Sequence, residues 1–293
     1  MKIPSVEYHR PGTLDDALQL LHRYEGEAKP LAGGQSLIPL LALRMSSPQA
    51  LVDLNDLPEL ALKRFTADEF VIGSMTRHRA IELDPRVAAR CSAIAEVAPL
   101  IGHTAIRNRG TVGGSIAHGD AAAEWPALCL LLDAVLELRS TRGARDVNAR
   151  DFFRGFLSTA VEPDELLTAV RLNMPGPRTG TAFAELARRH GDYAMVGVGA
   201  SLTLDEDGLV TAARLVLTSV APAPHRALEA ENLLIGQPAG SIPVDEVAEA
   251  VASSISPPPD LNGDTRYRRD ISRVLVRRVL PTARDRALPL EDA

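Results

Sequence analysis

The sequence predicts an α+β protein in two parts, and three observations carry that prediction. Up to about residue 175, short apolar or β-branched runs alternate with helical spacing. Pro175-Gly176-Pro177-Arg178-Thr179-Gly180 then breaks both kinds of regular structure. Beyond it, a strand meander that turns at Asp205-Glu206-Asp207-Gly208 gives way to helices. A length of 293 residues is ample for two such parts, each with a core.

Taken in order, Thr13 is placed as the N-cap of an amphipathic helix. Asp15 and Asp16 suit its positive end, and apolar residues recur at 14, 17, 18 and 21. A strand over 29–32 enters a Gly33-Gly34 turn, a helix over 37–44 leaves it, and Leu51-Val52-Asp53-Leu54 reads as a buried strand. These make a small α/β unit. The next unit begins with a strand at Phe70-Val71-Ile72-Gly73 and a helical region from Arg77 to Asp84-Pro85. Residues 86–102 keep helical spacing through Val87, Ala88, Cys91, Ile94, Ala95, Ala98 and Ile101. A glycine turn at 110–115 follows, then a buried helix over 126–132 with Pro126 in its first turn. Strands are expected at 134–140 and 166–172, with a short helix at Arg150-Asp151-Phe152-Phe153 between them. In the last part, strands are expected at 181–189, 198–204 and 210–220, and helices at 225–235, 243–255 and 264–288.

Composition narrows the function. The chain is 45% apolar and 24% charged, with a formal charge of −6, which gives no support to nucleic-acid binding. No run approaches the ~18 apolar residues of a membrane span, and the first residues show no apolar signal core. A cytoplasmic protein is therefore expected, with peripheral association at the inner membrane face left open. Two cysteines, Cys91 and Cys129, are too few for an iron–sulfur cluster held by about four thiolates, and buried free thiols are expected. No histidine pair or Cys/His set has zinc spacing, and no Ser-His-Asp arrangement or paired-carboxylate site is evident.

Two glycine stretches carry the candidate site. Pro30-Leu31-Ala32-Gly33-Gly34-Gln35-Ser36-Leu37-Ile38-Pro39 and Thr111-Val112-Gly113-Gly114-Ser115 each join an apolar lead, a double glycine and a hydroxyl. Backbone without Cβ can turn with positive φ and present N–H groups to a pyrophosphate. Alternatively, each is a tight turn between packed elements. Neither stretch is Gly-x-Gly-x-x-Gly or a P-loop, so no phosphate-directed lysine is involved. Arg107 and Arg109 flank the second stretch, as surface charge, helix caps, loop-orienting groups or partner contacts. His103 and His118 read as structural histidines, Asp120 as a helix N-cap, and Glu124 as a first-turn helix acid.

The two glycine stretches together resemble the FAD-binding medium subunits of molybdenum hydroxylases, the xanthine dehydrogenase family, and most of all those of aerobic carbon monoxide dehydrogenases. The likeness extends to Leu43-Arg44, Leu51-Val52-Asp53-Leu54, Ile106-Arg107-Asn108-Arg109-Gly110, Gly191-Asp192-Tyr193-Ala194, Tyr267-Arg268-Arg269 and Leu275-Val276-Arg277-Arg278, in order along nearly the whole chain.

That resemblance implies a two-subdomain FAD-binding domain over 1–176, of the vanillyl-alcohol-oxidase-like (PCMH) type, divided near 57. A C-terminal domain of antiparallel sheet plus helices spans 177–293. It implies non-covalent FAD held by Leu31, Ala32, Gly33, Gly34, Gln35, Ser36, Leu37 and Ile38, and by Thr111, Val112, Gly113, Gly114 and Ser115. Glu124 matches a carboxylate that bonds the flavin nucleotide's sugar, and Tyr193 a residue against the isoalloxazine ring. Ile101 and Leu167 match apolar positions near the flavin. The implied partners are a small subunit with [2Fe–2S] clusters and a large molybdopterin subunit, in a dimer of heterotrimers. The external acceptor is NAD, quinone or oxygen. Two rival readings share the fold: a stand-alone flavin oxidase, and a non-catalytic scaffold.

Overall fold

The computed structural model describes residues 3–289. Its first unit is a parallel sheet flanked by helices. It comprises β1 (Glu7–His9), α1 (Leu14–Arg23), β2 (Ala28–Leu31), α2 (Leu37–Ala42) and β3 (Ala50–Asp53), with strand order β1-β3-β2. Thr13 caps α1 as expected, its hydroxyl accepting from Asp16 N at 3.1 Å, and Ala17, Leu18 and Leu21 face the core. All four residues of β3 are buried because it is the central strand. The edge strand β1 was not expected: Glu7 and Tyr8 are exposed, so no apolar alternation marks it.

The second unit is built on a five-stranded antiparallel sheet. Its elements are β4 (Lys63–Phe65), β5 (Glu69–Gly73), α3 (His78–Glu82), α4 (Pro85–Arg90), α5 (Ser92–Val97), α6 (Thr104–Arg107), α7 (Val112–His118) and α8 (Glu124–Leu131). Then come β6 (Val135–Ser140), β7 (Gly143–Asn148), α9 (Ala149–Phe152), the small hairpin β8 (Phe153–Gly155) and β9 (Ser158–Thr159), and β10 (Leu166–Asn173). The sheet order is β4-β5-β10-β6-β7. Helix α8 is buried along its whole length, as an apolar surface on all sides requires.

Residues 86–102 form two helices where one was expected. Cys91 is extended (φ −152°, ψ 100°), and just beyond it the Ala93 N–H donates to Thr181 Oγ1 at 3.2 Å. A contact from the C-terminal part thus takes a donor that a continuous helix needs. Both cysteines are buried and free.

The third unit is the meander β11 (Thr179–Ala187), β12 (Ala194–Leu204), β13 (Val210–Thr218) and β14 (His225–Arg226), followed by α10 (Leu228–Asn232), α11 (Val244–Ser254) and α12 (Thr265–Ala287). The hairpin at 205–208 joins β12 to β13. Strand β12 starts four residues earlier than its β-branched run suggests, at Ala194. It is buried almost throughout, because α12 packs against it and α8 also contacts it. At Gly180 a Cβ would overlap the Ala283 carbonyl, so only glycine lets α12 cross β11 at this distance.

Candidate functional site

One cleft of about 740 Å³ runs between the three units, within the ~300–1,000 Å³ typical of small-molecule and cofactor sites. The two glycine stretches meet in its wall. A Cβ at Gly33 would overlap the Arg109 carbonyl and the Gly110 Cα, and the Cβ position of Gly114 lies 3.5 Å from the Ala32 Cβ. The Arg77 guanidinium fixes this junction from behind. It donates to the Arg109 carbonyl at 2.6 Å and to Asn55 Oδ1, while Asn55 Nδ2 donates to the Ala32 carbonyl at 3.1 Å.

The two stretches differ in what their N–H groups do. Gly34 adopts φ +72°, turning the chain out of β2 toward α2. Among the described residues, the N–H groups of Gly33, Gly34, Gln35, Ser36 and Leu37 have no partner within the chain, and all five residues line the cleft. Five adjacent donors without acceptors, in a concave wall, form an anion cradle.

The second stretch departs from the expected turn: it is the first turn of α7, and its donors are taken. Val112 N donates to Thr76 O at 2.9 Å, Gly113 N to Ser74 O at 2.8 Å, Gly114 N to Thr111 Oγ1 at 3.0 Å, and Ser115 N to Thr111 O at 3.1 Å. The glycines serve close approach instead, since a Cβ at Gly113 would overlap Ser74. Thr111, Gly113, Gly114 and Ser115 still line the cleft, as wall and not as donor array.

Ala32, Ile101, Glu124, Leu167 and Tyr193 also line the cleft. Leu31 and Ile38 stand behind the wall, where they back Gly34, and Val112 is fully buried in the core. Tyr193 lies on the connection between β11 and β12 and is 55% exposed. Partial removal from water and the nearby Asp120 carboxylate raise its pKa. Gly191 (φ +84°) lets this connection press on Gly102 and His103.

Of three further residues, Asp120 departs from its expected role, while Arg107 and Glu124 take roles the sequence had left open. Arg107 is neither surface charge nor a partner contact: it is 5% exposed, bonded to Glu82 at 2.7 Å and to the Gly102 carbonyl at 2.6 Å, so it orients the 101–102 backbone. Asp120 accepts from Ala122 N and does not cap α8, whose N-cap is Ala123. Glu124, the first residue of α8, is 4% exposed, and burial raises its pKa to about 8.

Lining that the sequence does not single out includes Ser74, Met75, His78 and most of the segment between Leu157 and Leu166. His78 is 4% exposed, and burial with the charges of Arg107 and Arg77 lowers its pKa to about 4. Chain order gave no signal for these residues, because β5 and α3 reach the cleft through tertiary packing.

The comparisons with known proteins agree with this geometry. Residues 4–175 match the family model described as FAD binding domain in molybdopterin dehydrogenase, and residues 181–283 match the CO dehydrogenase flavoprotein C-terminal domain. The chain is 38% identical to the 6-hydroxypseudooxynicotine dehydrogenase complex subunit alpha of Paenarthrobacter nicotinovorans, covering 100% of this chain and 99% of that one. It is 39% identical to the carbon monoxide dehydrogenase medium chain of Afipia carboxidovorans, covering 97% and 98%. Among solved structures, a carbon monoxide dehydrogenase from Hydrogenophaga pseudoflava that lacks the Mo-pyranopterin moiety superposes with a TM-score of 0.93 at 37% identity, covering 98% and 99%. Quinoline 2-oxidoreductase from Pseudomonas putida 86 superposes at 0.91 with 35% identity, covering 99% and 100%. Among the described residues, no helix is long and apolar enough to cross a membrane. A cleft with a free N–H cradle, on a fold matched over both of its parts, makes the assignment direct: the chain belongs to the FAD-binding medium subunits of the molybdenum-hydroxylase dehydrogenases.

Proposed function

We propose that this chain is the electron-transfer subunit of a cytoplasmic molybdenum hydroxylase, receiving electrons from a [2Fe–2S] partner subunit and passing them to an external acceptor. The observation that carries the reading is the free N–H run from Gly33 to Leu37 in the wall of the cleft. It fits a pyrophosphate held by backbone dipoles, with no lysine required. The names of the relatives, a complex subunit and a medium chain, support the assignment to a larger assembly.

FAD, when bound, supplies the redox chemistry, accepting electrons singly and passing them on singly or in pairs. The chain binds, orients and shields. Residues 33–37 would hold the pyrophosphate, with Gly113 and Gly114 keeping the facing wall close; Glu124 would meet the sugar, and Tyr193 would cover one ring face. Ile101 and Leu167 exclude water beside the ring. The FAD-binding domain is placed at 1–176 with a subdomain break near 57, and the second domain at 177–293.

The test is anaerobic mixing of the purified full chain, loaded with FAD, with carbon monoxide, a purine, an N-heterocycle and an aldehyde. The flavin absorption band should persist with the chain alone and bleach once iron–sulfur and molybdopterin subunits are added. Rapid bleaching with the chain alone would overturn the subunit reading in favour of a stand-alone oxidase.

A further inference from the structure

Beside the 33–37 cradle, the wall of the cleft holds a side-chain donor with nothing to donate to. His78 opens α3 and lines the cleft, although it is only 4% exposed. Its Nδ1 accepts the indole N–H of Trp125 at 3.0 Å. An indole nitrogen only donates, so Nδ1 carries no proton. Burial and the charges of Arg107 and Arg77 keep the ring neutral at neutral pH. Its one N–H is therefore on Nε2.

Among the described residues, the bond to Trp125 is the only one the ring makes. The Ile106 carbonyl lies on the same side of Gly110 as the ring edge, but it already accepts from Arg109 N at 3.1 Å and Gly110 N at 2.7 Å. The side-chain atoms that are both sealed from solvent and unbonded are Ser74 Oγ, Glu185 Oε2 and Arg268 Nε. His78 Nε2 is not one of them, so the unbonded edge is where the ring reaches solvent, and the cavity it lines is the cleft. A buried polar ring normally has its N–H paired.

The position of that edge relative to the cradle follows from two glycines. A Cβ at Gly33 would lie 2.7 Å from the Gly110 Cα, and a Cβ at Gly110 would lie 3.0 Å from His78 Nε2. Without those side chains, the first donor of the cradle and the ring edge stand on either side of one bare Cα. The N–H groups of 112–115 are taken within the chain, so the ring supplies a donor where the neighbouring backbone does not.

We propose that His78 is a cofactor-binding residue: its Nε2–H donates to a phosphate oxygen of FAD next to those held by the 33–37 cradle, with the proton kept on Nε2 by the bond from Trp125. The inference rests on the placement of FAD in this cleft by that cradle. A hydrogen bond to an ionised acceptor is the stronger kind, and a neutral ring supplies it without requiring a counter-ion in the wall.

The test is titration of FAD into the apo full chain at neutral pH, read by flavin fluorescence. His78→Phe keeps a ring and removes the donor, and should raise the dissociation constant at least about tenfold. The amide of His78→Gln can accept from Trp125 and donate to the phosphate, and should bind within about threefold of wild type. In phosphorus NMR of the saturated proteins, one of the two FAD resonances should differ between wild type and His78→Phe. Equal affinity in these two proteins, or phosphorus resonances that coincide, overturns the proposal and leaves the cradle standing. A wild-type chain that does not bind FAD removes the site itself. Melting curves of the apo variants separate loss of fold from loss of binding. If His78→Phe does not fold, the wild type decides. With isotope-labelled histidine, FAD should shift the Nε2 signal that is absent from His78→Gln, and a signal that stays in place overturns the proposal.

Discussion

The indole N–H of Trp125 donates to Nδ1 of His78 at 3.0 Å, joining the start of α8 to the start of α3 beside the cleft. Accepting at Nδ1 fixes His78 as the neutral tautomer with its proton on Nε2. The group's pKa falls from 6.5 to about 4 in the folded chain.

The sign of the resulting pH dependence follows from linkage. Below 6.5 the unfolded chain binds a proton that the folded chain refuses until about 4. Stability from this group is complete above 6.5, falls as the pH drops toward about 4, and then levels off. Urea unfolding at pH 7 and pH 5 should differ by about 2 kcal/mol more in wild type than in His78→Phe. Equal differences in the two proteins would mean that His78 is not the responsible group.

Trp125→Phe removes the donor and leaves a buried ring nitrogen unpaired. A loss of about 1–3 kcal/mol in unfolding free energy is expected, measured at neutral pH.

Glycine substitutions should sort by what the new methyl group meets. Gly33→Ala forces a Cβ into the Arg109 carbonyl and Gly113→Ala into Ser74, whereas nothing lies within 4 Å at Gly12. The first two should lose about 1–3 kcal/mol of stability and bind FAD poorly. Gly12→Ala should match wild type in melting temperature and flavin content.

Arg107→Ala leaves Glu82 with Arg79 as its remaining partner and frees the carbonyls of Ile101 and Gly102. A loss of about 1–3 kcal/mol is expected by denaturant unfolding, from the carbonyls left without a donor. The side chain of Arg109 is exposed, and Arg109→Ala should stay within about 0.5 kcal/mol of wild type.

Tyr193→Ala should leave stability nearly unchanged, because the ring is largely exposed. Bound flavin should become more fluorescent and reoxidise at a different rate once one face is uncovered. Unchanged fluorescence and oxygen reactivity would reduce Tyr193 to a surface residue.

Elements with strong local signals were legible. Helix α1 declares itself by Thr13, two acidic residues and a regular apolar face, and the 205–208 hairpin by its turn residues. Strand β7 was invisible because nearly every residue is exposed, and only pairing with β6 organises it. The glycines at 113 and 114 disfavour helix locally, yet they lie in α7 because the backbone must pass against Ser74 and beside Ala32. At the site, the two glycine stretches and Tyr193 could be read from motifs. Ser74 and His78 could not, since their places in the cleft arise from contacts between distant parts of the chain.

Thr181 holds Ala93, and Thr218 holds Ala121 and Ala123, so each half of the chain grips the other across the connector that includes the exposed Gly176 and Pro177. The cleft draws its walls from both sides of that connector. A ligand in it therefore adds its own binding free energy to the contacts that already hold the two halves together. A chain cut at Gly176 should come apart at a lower urea concentration when emptied than when loaded, which makes fragment dissociation a gauge of cofactor occupancy that needs no redox partner.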